Sequence, residues 1–195
     1  MKWLVVLITV WCNAQSPIIS MEDMADSKVA GAWYKDVNNE FGKFVGTWKF
    51  ENTATNTSFT IKLQKKESFY IPLFNYYQDL LVGEYRYVQN GVEIVNTLSN
   101  LNVLHTDEYD YNITGYVLLD VNTATLGSRK KILLNFKDPQ RDYLDVNIIV
   151  TFIPAMIGSP AKINVTWGGQ LSFVEEGQPT EIRVPEQEYI LTKQP

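Results

Sequence analysis

The chain predicts an all-β fold, an antiparallel barrel or strongly curled meander of about eight to nine strands. Three observations carry that expectation. Apolar residues recur at every second position in several segments, the period of half-buried strands. Turn-forming residues separate those segments at short intervals, and no long helical period appears from residue 41 onward. The run Phe44-Val45-Gly46-Thr47-Trp48-Lys49-Phe50 then sets a Gly-x-Trp step at the entry to an alternating strand. There Gly46 permits a sharp turn and close packing, while Trp48 plugs one end of a barrel with a large apolar ring.

The strands follow in order. Phe59, Ile61 and Leu63 face one way, and Thr60, Lys62 and Gln64 the other. Asn52 to Asn56 reads as the polar turn that leads into them. Asn90-Gly91 joins residues 84–88 to residues 92–98 as a tight hairpin, because both turn residues tolerate positive φ. Leu126-Gly127-Ser128 and Asp138-Pro139-Gln140 punctuate the next stretch. Leu144, Val146, Ile148, Val150 and Phe152 share a face, as do Ala161, Ile163, Val165 and Trp167. Gly168-Gly169, Gly177 and Pro179 mark a looser region before a last strand at residues 188–193. Residues 15–40 have no clear period and read as a flexible extension, with a turn or short helix around Trp33-Tyr34-Lys35-Asp36.

The N-terminus reads as an export signal over residues 1–14. Lys2 supplies the positive charge, Trp3 to Trp11 a short apolar run, and cleavage is expected after Ala14. The run is too short to span a bilayer, which takes about 20 residues. The alternative is lipidation of Cys12, which would anchor the chain to a membrane; Trp11 occupies the place where such signals want a small residue. Residues 41–195 form one β domain. Localisation is therefore expected to be exported, periplasmic or extracellular, with a membrane as partner only if Cys12 is lipidated.

Composition narrows the chemistry. Acidic residues outnumber basic ones 22 to 17, for a net charge of −5, which argues against nucleic acid as a partner. Cys12 is the single cysteine and His105 the single histidine. After cleavage no thiol remains, and a catalytic triad or histidine-rich metal centre is excluded. His105, beside Thr106-Asp107-Glu108, reads as a solvated loop residue. Neither Asp107-Glu108-Tyr109-Asp110 nor Asp120-Val121-Asn122-Thr123-Ala124 has the glycine and spaced ligands of a calcium loop. No metal, no cofactor and no catalytic residue is expected, and the chain is not read as an enzyme.

Two resemblances accompany this reading. Phe44 to Lys49 resembles the opening strand of lipocalins and fatty-acid-binding proteins over fewer than a dozen residues. A helix–turn–helix lid and a C-terminal Arg-x-Tyr clamp have no counterpart, so the fatty-acid site does not carry over. More broadly, the chain resembles an uncharacterised family of small exported bacterial proteins. The similar segments are Asn13-Ala14-Gln15, residues 34–40, the Gly-x-Trp strand, Val184-Pro185-Glu186 and Leu191-Thr192-Lys193-Gln194. This resemblance implies export and a lipocalin-like barrel and supplies no activity.

Aromatic density points to the candidate site. Phe69, Tyr70, Phe74, Tyr76 and Tyr77 crowd a stretch read as a loop over one barrel mouth, and Tyr85 and Tyr87 share a face of the next strand. Tyr70, Phe74, Tyr76, Tyr77, Tyr85 and Tyr87 are the expected ligand contacts, with Gly46 and Trp48 structural at the base. The expected function is non-catalytic binding of a small apolar or amphipathic ligand inside the barrel. The alternative is an envelope or surface protein that recognises glycan or protein through exposed aromatics. Large inward residues, of which Phe59, Phe136, Phe152 and Trp167 are candidates, would favour a filled interior.

Overall fold

A computed structural model describes residues 17–24, 28–121, 129–172 and 174–195. The export signal with Cys12, Ala124 and the turn expected at Leu126-Gly127-Ser128 lie outside the described residues. In chain order the strands are β1 (Ile18–Ser20), β2 (Trp33–Lys35), β3 (Gly46–Asn52), β4 (Thr57–Ile71), β5 (Tyr76–Gln89), β6 (Val92–Asn96), β7 (Ile113–Val121), β8 (Arg129–Phe136), β9 (Leu144–Ile153), β10 (Lys162–Ser172) and β11 (Tyr189–Lys193). Among the described residues the only helical elements are short 3-10 turns. Eight strands, β3 to β5 and β7 to β11, form an antiparallel up-and-down meander that closes where β5 pairs with β7. This is the lipocalin-like barrel expected. Three further strands bring the total among the described residues to eleven: β6 beside β5, and β1 and β2 in parallel pairing on the open edge of β5.

Alternation places the side chains as the sequence demands. Phe59, Ile61 and Leu63 of β4, Val146, Ile148 and Val150 of β9, and Ile163 and Val165 of β10 are all buried. Phe59 sits at the centre, its ring 4.9 Å from Tyr189, 6.1 Å from Tyr85, 6.2 Å from Tyr87 and 6.3 Å from Phe136. Edge-on and tilted contacts of this kind pack rings densely, and they fill the barrel's middle. Phe152 and Trp167 are partly buried and extend the same aromatic core towards the two ends.

At one end the Gly-x-Trp step works as its residues require. Gly46 has φ +131, where a side chain is strained, and a Cβ there would stand 3.2 Å from Lys193 Cε. Trp48 is fully buried, donates its indole N–H to Phe44 O at 2.7 Å and lies under Lys193 Nζ, 5.2 Å from the ring centre. Residues 36–44 cross this end. Asp36 accepts the backbone N–H groups of Glu40 (2.7 Å) and Phe41 (3.0 Å), and Lys65 Nζ lies 3.2 Å from Asp36 and 3.4 Å from Asp79.

Two local expectations are corrected. Trp33–Lys35 is a strand, not a turn or short helix. β7 covers β5 only over residues 81–83, so the start of β5 has an open edge that β2 pairs. Tyr34 is also buried edge-on against Tyr76, at 5.1 Å. Residues 69–77 are likewise mostly strand: β4 runs to Ile71 and β5 begins at Tyr76, with only the 3-10 turn Pro72–Phe74 between them. Pro72 starts that turn and Asn75, at φ 52, ends it. The hairpin therefore projects past the barrel end, bent by a bulge between Lys66 and Phe69.

The opposite end is covered by residues 174–188, the stretch read as loose. Ile182 and Val184 are buried in the core, and Arg183 between them donates Nε to Asp138 at 2.9 Å and Nη1 to Ile94 O at 3.1 Å. Burial works against ionised Asp138, but the Arg183 guanidinium and backbone N–H donors outweigh it and hold the carboxyl below its ordinary range.

Candidate functional site

The expected contacts divide by the face they occupy. Tyr85 and Tyr87 point into the barrel, where both are buried. Tyr85 OH donates to Lys137 O at 3.0 Å, and burial drives its phenol far above the ordinary range. Tyr76 is buried too, stacked on Phe74 at 5.8 Å, with its phenol pushed up to about 12, chiefly by burial. Tyr70, Phe74 and Tyr77 are exposed on the projecting hairpin. Tyr70 and Tyr77 are cross-strand partners with ring centres 5.1 Å apart, and Tyr70 OH donates to Asn75 Oδ1 at 3.1 Å. The structure thus leaves Tyr70, Phe74 and Tyr77 exposed, Tyr70 and Phe74 together beside one cavity, and packs Tyr76, Tyr85 and Tyr87 into the fold.

That surface borders a groove on the barrel's outer wall. A cleft of about 790 Å³ lies between Lys66, Phe69, Tyr70 and Pro72 on one side and Leu104 and His105 on the other. A cavity of about 320 Å³ shares Phe69, Tyr70, Pro72 and Thr106 with it and continues to Glu108 and Tyr109. A third of about 150 Å³ shares Glu108 and Tyr109 and runs over Thr114 and Tyr116 to Asn135 and Asn147. The shared residues set the three cavities side by side along one stretch of the outer wall, which forms the groove. Its rim holds Leu73 and Leu104, 82% and 90% exposed.

Residues 98–112 form one wall of the groove, and a buried carboxylate anchors them. Glu84 points outward from β5 yet is fully buried. It accepts Asn100 Nδ2 at 2.8 Å, Asn112 Nδ2 at 2.6 Å and Asn112 N at 3.2 Å. Beneath the same segment Leu80, Val82, Leu101 and Tyr111 form a separate small apolar cluster. His105 is not the solvated residue expected. Its side chain is half tucked in, with Nε2 3.2 Å from Asn100 O and the ring edge-on to Tyr111 at 4.6 Å. Residues 107–110 include the 3-10 turn Glu108–Asp110, capped by Asp107. Burial, then the Asp107 charge, raises the Glu108 carboxyl above its ordinary range, while an amide N–H from Gln78 at 3.5 Å works the other way.

Sequence reasoning did not find Glu108, Thr114 and Asn135 as lining one cavity, nor Glu84 and Gln78 as the buried residues that hold the groove's wall. Each is an ordinary polar residue of a strand or loop, and only the closure of β5 on β7 brings them together. Among the described residues no group of three or more His, Cys, Asp or Glu is placed to hold a metal ion, and no helix is long and apolar enough to cross a membrane.

The sequence pattern of one family matches residues 1–194 of this chain. The chain belongs to the family of unknown function DUF6705. The match spans both ends of the domain, so the DUF6705 pattern takes in the barrel, the β1–β2 addition and the segment that closes the second end. No curated protein and no solved structure matches the chain.

Proposed function

We propose that this chain is an exported, non-catalytic recognition protein that binds a ring-bearing or amphipathic ligand in the groove on its outer wall. The observation that carries this reading is the division of aromatics. Rings fill the interior around Phe59, while Tyr70 and Phe74 stand exposed in the wall of the groove. Exposed apolar groups clustered along a groove favour association, because covering them removes apolar surface from water. The apolar guest expected for the barrel centre has its alternative here, on the surface route through exposed aromatics.

The test is fluorescence titration of the full chain with 8-anilinonaphthalene-1-sulfonate. The Tyr70→Ala/Phe74→Ala double variant is expected to bind the dye about tenfold more weakly, since each ring contributes apolar contact area. Its thermal midpoint should barely change, because both residues are exposed. Unchanged dye affinity in the double variant overturns the reading. Export is checked by intact mass of the natively exported chain: a start at Gln15 supports it, and a lipid on Cys12 places the protein on a membrane.

A further inference from the structure

Four buried side-chain oxygens among the described residues have no hydrogen-bond partner, and three of them belong to residues grouped about Glu108. Thr114 Oγ1 and Asn135 Oδ1 belong to cross-strand partners on β7 and β8, and both residues line the smallest of the three cavities, beside Glu108. Gln78 Oε1 belongs to the side chain whose amide reaches Glu108. A buried polar atom left unpaired costs about 1–3 kcal/mol. Ordered water or a bound ligand pairs such atoms, and a group of them marks where a ligand's polar groups can take the place of water.

The donor account says what that something brings. Asn135 spends its amide N–H on Asp145, and Gln78 spends its own on Glu108. Each amide keeps a second N–H, but the atoms left without a partner are acceptor oxygens, joined by the Glu108 carboxyl and the two-way hydroxyl of Thr114. The missing partner therefore supplies several donors at once, as a polyhydroxyl compound or an ammonium ion does. A positive charge already stands at the rim, since Lys137 Nζ lies 5.2 Å over the Tyr109 ring and donates to Tyr109 O at 2.6 Å. Glu108, Asp107 and Asp145 offset that charge, so the choice between hydroxyls and an ammonium falls to the diamine control. Tyr109 and Tyr116, lining the same cavity, offer flat rings to the apolar face of a sugar.

We infer that the cavity of Glu108, Thr114 and Asn135 is a hydroxyl-reading subsite and that the groove's ligand is an oligosaccharide. The inference rests on the groove being the recognition surface. Thr114 is the sharpest probe because its hydroxyl has no structural partner to lose.

The experiment is calorimetric titration of the full chain with cellotetraose, maltotetraose and chitotetraose, with 1,5-diaminopentane as the cationic control. At least one tetrasaccharide is expected to bind. Thr114→Val should weaken it by about tenfold, the worth of one hydrogen bond, while leaving the thermal midpoint unchanged or higher. Thr114→Ser, which keeps the hydroxyl, should restore affinity. Binding of no tetrasaccharide, a Thr114→Val affinity within about twofold of the parent, well under that one-bond loss, or binding of the diamine in their place overturns the subsite. The two readings fail separately. Dye binding that depends on Tyr70 and Phe74, without sugar binding, leaves the groove and removes the subsite. Sugar binding lost in Thr114→Val but untouched by the Tyr70→Ala/Phe74→Ala variant does the reverse.

Discussion

Gly46 shows how much one backbone angle decides. At φ +131 an L side chain is strained, and the Cβ position is already close to Lys193 Cε. Gly46→Ala is expected to cost roughly 1–3 kcal/mol, read as a lower midpoint in urea denaturation with an unchanged slope. A parent-like midpoint would mean that β3 enters the barrel without needing that angle. Trp48 belongs to the same argument. Its polar edge is satisfied by Phe44 O and its face by Lys193, so a large ring can close the end without an orphan N–H. The tyrosines divide on a different principle. A tyrosine on an alternating strand faces in or out by parity, and Tyr85 and Tyr87 share the parity of Leu81 on β5. Tyr70 and Tyr77 escape burial because they sit on the part of the hairpin that runs past the barrel end.

At the scale of an element, residues 174–188 are informative. Their glycines and prolines read as slack, yet Ile182, Arg183 and Val184 tie the segment across one end of the barrel. The tie has a pH signature. Asp138 titrates below its ordinary value of 3.8 in the folded chain. A carboxyl with a depressed folded pKa contributes stability that is present above the unfolded value and lost as the pH falls through the folded one. Asp138→Asn leaves the buried guanidinium without its counter-charge and is expected to cost about 3 kcal/mol at pH 7. The gap to the parent should narrow below pH 3.8, where the parent carboxyl itself takes up a proton. Thermal melts of both chains from pH 7 to pH 2.5 check this; a pH-independent gap would mean that the aspartate acts through shape alone.

For the whole molecule, the N-terminal addition is part of the same packed body. β1 pairs with β2, β2 with β5, Met21 is buried in the main core, and Asp36 joins Lys65 and Asp79 at the barrel end. Removing residues 15–28 therefore strips a strand and a buried methionine. The methionine alone is worth about 1.5–3 kcal/mol. At about 2–4 °C per kcal/mol for a domain of this size, the midpoint should fall by roughly 3–12 °C. An unchanged midpoint in differential scanning calorimetry would show that the addition lies on the barrel without stabilising it.

The sequence alone determined what depends on local periodicity and turn chemistry. Parity sorted the residues of β4, β9 and β10 into inward and outward sets, Asn90-Gly91 placed a hairpin, and the Gly-x-Trp step marked the barrel's first strand. These are legible because neighbours in the chain produce them. The parallel strand at Trp33–Lys35 was not legible, since it answers an open edge on β5 some forty residues away. Nor was the groove. Gln78, Glu108, Thr114 and Asn135 come from three strands and a loop, and each looks unremarkable beside its own neighbours. Only the tertiary structure decided that Glu108 meets them and that the oxygens of Gln78, Thr114 and Asn135 are left unpaired, because hydrogen-bond satisfaction is a property of the packed chain and not of any segment.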